Sequence, residues 1–161
     1  MISPSHCVSK NRLSLQVRVD GRLLACRQAP NMVLQSGADL IAKLFAGAPN
    51  TQPINTVQVG FAREAGAANL TALTPPDPPV AKEALQSPVA AANFTITADQ
   101  PGMIKVIVNA LFKPTVELKD VSEAGLLAGD VLYNQVVFEP VTLRPGQNVT
   151  FFWEINFPFG H

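Results

Sequence analysis

The closing third of the chain constrains the fold more than any other stretch. Residues 131–138 and 149–157 are dense in branched and aromatic side chains, and the second run places Phe151, Phe152, Trp153, Ile155 and Phe157 within seven positions. Such residues suit a pleated, half-buried surface, so both runs are expected to be strands. In an extended chain Phe151, Trp153, Ile155 and Phe157 share one face. That face reads as core, since buried aromatics dominate core energetics. Phe152, Glu154 and Asn156 face the other way, and an outward Phe152 is a candidate interface contact. Ahead of these strands, Ser122, Glu123, Ala124 and Gly125 read as a turn in which Glu123 hydrogen-bonds nearby backbone N–H groups.

Upstream, Leu13, Leu15, Val17 and Val19 alternate with polar residues, the period of a strand with one buried face. Asp20-Gly21 favours a tight hairpin, and residues 22–28 form the return strand. A helix follows, capped by Ser36 with Asp39 as the capping-box acid and stopped by Gly47 and Pro49. Its Leu40, Ile41, Leu44 and Phe45 recur at helical spacing and are expected to pack on a sheet. Residues 54–61 resume strand character. Residues 62–79 turn small, polar and proline-rich, which suits an exposed arm or contact loop. Residues 94–97 form a short strand, and residues 103–112 form a longer one expected to be covered on both faces. Pro145-Gly146 fits the centre of a turn between the last two strands.

About seven strands and one short helix predict a mainly β fold, an antiparallel β-sandwich or a jelly-roll-like barrel. The reading divides the chain into an arm and hairpin over 1–30 and a sandwich over 31–161, with a proline-rich loop at about 66–90.

Of 161 residues only 15% are charged, against about 25% in a typical soluble domain. A surface so short of charge can be covered by burying part of it against neighbours. Twelve basic and twelve acidic residues cancel without forming a block of one sign, so neither nucleic acid nor an anionic membrane is an expected partner. No apolar run is long enough for a membrane helix. Met1 to Cys7 lacks the basic and apolar regions of a signal peptide. Synthesis in a reducing cytosol favours free thiols at Cys7 and Cys26 over a disulfide.

Little in the chain resembles chemistry. His6 and His161 are near the ends, and a zinc site would have to combine His6, Cys7, Cys26 and a carboxylate at a spacing that matches no ligand pattern. Cys26 has no histidine base at hand. Glu117, Asp120 and Glu123 could pair as acid and base, the basis of a weaker hydrolase reading. No phosphate loop is present. No enzyme activity and no cofactor are expected.

The order of elements resembles small structural proteins of tailed bacteriophages. Residues 38–47 (ADLIAKLFAG) and 54–60 (INTVQVG) are similar to a helix ending in glycine followed by "I-x-x-V-x-V-G". Residues 121–127 (VSEAGLL) resemble "I-S-E-A-G-L-F". Residues 136–141 and 152–157 look like the closing "F-x-P-I" and "W-x-I-x-F" strands. The likeness spans most of residues 31–157, departing at Leu127, where the family has an aromatic, and in the added N-terminal hairpin. It implies a virion component, made in the bacterial host cytoplasm, of the neck, tail or fibre-attachment region. Its partners would be further copies of itself and other virion proteins. A capsid-decorating protein is the alternative. A receptor- or glycan-binding module is another, built on Tyr133 or Phe152 with Asn134 or Asn156. Phe61, Pro75, Pro76, Pro78, Pro79, Phe152 and Phe159 are the candidate interface residues.

Overall fold

The computed structural model describes residues 12–160. Among these residues eleven strands form two antiparallel sheets that face one another across one main core. The strands of the first sheet are β1 (Arg12–Val19), β2 (Arg22–Pro30), β6 (Phe94–Gln100), β7 (Met103–Phe112) and β11 (Asn148–Pro158). They run in the order β2-β1-β11-β7-β6. The second sheet orders β3 (Met32–Val33), β10 (Asn134–Leu143), β8 (Leu118–Ala128), β4 (Thr56–Gly60) and β5 (Gln86–Pro88), with β9 (Val131–Leu132) pairing β8. This is the expected β-sandwich. The sheets do not close on each other, so no barrel forms.

The hairpin forms where positive φ is available: Asp20 at 49° and Gly21 at 78° join β1 to β2. β1 then lies inside the first sheet, with Leu13 opposite Trp153, Leu15 opposite Phe151 and Val17 opposite Val149. These pairs form the centre of the core. Phe151 stacks on Trp153 at 5.6 Å between ring centroids and meets Phe112 edge-on at 6.4 Å. The second sheet answers with Val57, Val59, Val121, Leu126 and Val136. Residues 12–30 and the rest of the chain therefore share one core.

The sandwich is stapled along two sides. Arg27 on β2 donates to the carbonyls of Glu139 (2.9 Å) and Pro140 (3.1 Å) on β10. On the other side Ser87 of β5 donates to the Leu111 carbonyl of β7 at 2.8 Å.

Several local expectations are corrected. Residues 122–125 are not a turn but the middle of β8, because residues 118–128 find partners on both flanks, β10 and β4. Gly125 is needed there, since a Cβ would come within 2.6 Å of the Asn134 carbonyl oxygen. β7 is not covered on both faces along its whole length: Val108, Ala110 and Phe112 are buried in the core, whereas Asn109 and Leu111 on the outer face are exposed, because no second layer lies over that end of the strand.

The helix α1 (Gln35–Ala46) stops where expected, with Gly47 in the left-handed region at φ 64°. Ser36 is not its cap. It sits inside the first turn and donates to the Leu132 carbonyl at 2.6 Å, fastening the helix to β9, while Asp39 pairs with Lys43 at 2.8 Å. Nor does the apolar side of α1 pack fully on a sheet. Only Gly37 and Leu40 are buried, because the helix touches the sandwich through its first turns, where the Tyr133 backbone leaves no room for a side chain at Gly37.

Cys26 is disulfide-bonded, which corrects the expected free thiol at that position. A reducing compartment sets the supply of oxidant, whereas the bond itself is decided by the local geometry of the sulfurs. His6, Cys7 and His161 lie outside the described residues.

Candidate functional site

The long loop after β4 is built around one buried carboxylate. Glu123 points away from the main core and is fully buried, 0% exposed. Its Oε1 accepts the N–H of Thr74 at 2.8 Å and of Ala62 at 3.3 Å. Oε2 accepts from Gln135 Nε2 at 2.6 Å, and Gln135 Oε1 in turn accepts the N–H of Gly66 at 2.8 Å. A carboxylate needs several donors to be buried at tolerable cost, and the loop backbone supplies two of them. Glu123 does bond backbone N–H groups, but those of residues 61 and 49 positions away rather than of a local turn. Leu73 completes the fastening by packing with Leu34, Leu127 and Leu132 in a second apolar cluster. The proline-rich stretch is thus a cover bound to the outer face of the second sheet, with its tip in solvent.

The candidate interface residues divide between two regions. Phe61 is half-buried against the core, and its N–H donates to the Thr74 carbonyl at 3.0 Å. Pro75, Pro78 and Pro79 are exposed and Pro76 is half-buried. Phe61, Pro76 and Pro78 line one wall of a groove of ≈ 420 Å³, with Glu117, Lys119 and Asp120 opposite. Pro75, Pro76 and Pro79 border a second groove of ≈ 400 Å³ with Leu73 and Leu132. The structure brings these five residues together. Phe152 lies instead on the outer face of the first sheet and is half-buried, while Phe159 follows β11 and is exposed.

Residues named for other roles are occupied structurally. Tyr133 and Asn134 are buried, which removes them from an exposed glycan platform. Asn134 accepts the Leu126 N–H at 2.7 Å and donates to Asn31 at 2.7 Å. Burial raises the pKa of the Tyr133 phenol above 10.0. Glu117 and Asp120 stand in solvent beside Arg144 (3.6 Å) and Arg63 (3.8 Å), respectively. The three carboxylates considered as an acid–base set therefore occupy different environments.

Among the described residues the largest apolar exposure falls on α1. Phe45 is 94% exposed, and Ile41 and Leu44 are exposed with it. Ala38, Ile41, Ala42 and Phe45 form a continuous helical stripe, separate from the Gly37, Leu40 line that meets the sandwich. The sequence carried the signal: α1 is apolar on two flanks, and a helix docked by one flank leaves the other in solvent. Searches against protein-family models, curated proteins and solved structures find no match to this chain.

Proposed function

We propose that the chain is a structural protein of a tailed-bacteriophage particle that works in many copies through apolar contacts. The reading rests first on the order of motifs in residues 31–157. The observation that carries it in three dimensions is the apolar stripe of α1, ending in a phenylalanine 94% exposed, on a chain with only 15% charged residues. Exposed apolar clusters of this kind on a charge-poor surface serve contact between proteins. Burying one such phenylalanine contributes about 2–3 kcal/mol, and closed symmetry repeats the contact in every subunit. The strand edges at β2 and β6 and the exposed Ile96 and Phe159 supply further contact surface. A neck, tail or fibre-attachment position is the reading adopted.

Light scattering on the purified chain tests it. A discrete multimer is expected, visible as a ring or other symmetric particle by electron microscopy. The double variant Ile41→Ser, Phe45→Ser is expected to remain folded and to run as a monomer. A parent chain that is monomeric at high concentration would remove self-assembly through α1.

A further inference from the structure

The apolar stripe of α1 has a counterpart on the same surface of the chain. A groove of ≈ 400 Å³ runs between the proline-rich loop and the β8–β9 hairpin. Leu73, Leu85 and Leu127, all nearly buried, line its depth, and exposed Ala72, Pro75 and Pro79 line its rim. The rim is held from beneath, because the N–H of Thr74 donates to the buried Glu123 carboxylate at 2.8 Å. The groove is therefore preformed, and a side chain entering it need not order the loop first. Its size falls among pockets that seat one organic group, about 300–1,000 Å³. Phe45, 94% exposed, does not enter the groove of its own chain.

Stripe and groove are neighbours. Asp130 borders the groove, and it also borders a hollow of ≈ 370 Å³ whose other wall includes Asp39, Leu40 and Lys43 of α1. Two complementary features side by side meet twice across a two-fold axis that passes between them. Their charges also match. Lys82 and Asp130 stand exposed at the groove, 3.0 Å apart, and Asp39 and Lys43 stand exposed on the helix side next to Ala42, 2.8 Å apart. Each surface thus carries one acid and one base. We propose that the groove receives the α1 stripe of a second copy, Phe45 foremost, while that copy's groove receives the first copy's stripe. The proposal rests on assembly through α1 and adds the surface that receives it. Asp39 then faces Lys82, and Lys43 faces Asp130, of the other copy, so no like charges are opposed. Reciprocity doubles the buried area, which matters because one short stripe is small against the roughly 1,200–2,000 Å² of a stable interface.

Sedimentation of mixed variants tests this seating. Ala72→Trp fills the groove from its exposed rim, and Ile41→Ser, Phe45→Ser removes the inserting side chains. Each variant alone is expected to associate roughly tenfold or more weakly than the parent, as for loss of a buried aromatic anchor. All three positions are exposed, so thermal midpoints should stay with the parent's. Mixed in equal amounts, the two variants are expected to associate roughly tenfold more tightly than either alone, because the stripe of one fits the open groove of the other. A merely destabilised chain would not be rescued in this way. Where Ala72→Trp fails to fold, exchange of exposed charges replaces it: Asp39→Lys, Lys43→Asp should weaken association, and adding Lys82→Asp, Asp130→Lys should restore it. A multimer that the α1 variant dissolves but the groove variants leave intact would overturn the groove and leave assembly through α1 standing. Absence of rescue on mixing would overturn the reciprocal seating. A monomeric parent would overturn both.

Discussion

At the scale of single residues, Glu123 and Tyr133 make opposite use of burial. Glu123 remains a fully buried acceptor because three N–H groups converge on it. Glu123→Gln turns one acceptor into a donor, so one N–H among Ala62, Thr74 and Gln135 loses its partner. The expected loss is about 1–3 kcal/mol in denaturant unfolding, with faster proteolysis in residues 62–79. Tyr133 has only desolvation acting on it, which raises its pKa above the unfolded value of 10.0. The folded state thus holds its proton at a pH where the unfolded state has lost it. Its contribution is complete below pH 10 and is lost as pH rises from there through the folded pKa. Tyr133→Phe removes that slope. The stability difference between parent and variant should be flat below pH 10 and shift against the parent above it, as followed by urea unfolding across that range. Neither environment was legible in the sequence. Glu123 beside Gly125 looks like a turn until β4 and β10 are known to flank it.

At the scale of elements, strands were legible wherever one face met water and the other the core. Leu13, Leu15 and Val17 announced β1 by alternation, and Phe151 and Trp153 announced the buried face of β11. β8 was not legible, because both of its faces are covered, one by the core and the other by the loop pinned at Glu123. Alternation disappears under such cover, and Ser122 to Gly125 then resemble a turn. The proline tract reads in sequence as an exposed arm or contact loop, and its fastening to the sheet is hidden there because it depends on Thr74 and Ala62 meeting a residue about 50 to 60 positions away. For α1, spacing gave the helix and Gly47 its end, whereas the exposure of Phe45 follows from how little of the helix the sandwich receives. Replacing a side chain that is 94% exposed should change stability by less than about 0.5 kcal/mol. Gly47→Ala forces a Cβ into φ 64° and should cost about 1 kcal/mol. Thermal unfolding of the two variants checks the contrast: Phe45→Ser melts with the parent, and Gly47→Ala melts several degrees lower.

At the scale of the whole molecule, the hairpin over residues 12–30 decides whether the chain behaves as one folding unit or two. A boundary near residue 30 is natural in the sequence, where Pro30 closes a self-contained hairpin pattern. The structure places β1 between β2 and β11, so a strand from the first 20 residues is bonded to the last strand of the chain. Leu13, Leu15 and Val17 contact the same core as Trp153, and Arg27 ties β2 to β10 across the sandwich. Removing residues 1–30 would expose one side of β11 and uncover Phe151 and Trp153, losing several buried aliphatic side chains at about 1.5–3 kcal/mol each. For Leu13, Leu15 and Val17 that is about 5–9 kcal/mol, comparable to the net stability of a domain this size, roughly 5–15 kcal/mol, and the freed strand edge adds to the loss. A chain of residues 31–161 is therefore expected not to fold alone. In the parent, the fluorescence of Trp153, the sole tryptophan, and the far-ultraviolet dichroism of the sheets should follow one coincident denaturant transition. Because these pairings join distant parts of the chain, refolding should take milliseconds to seconds. Two separated transitions, or a folded 31–161 fragment, would mean that the hairpin is an appended module and that the β1–β11 ladder contributes little to the core.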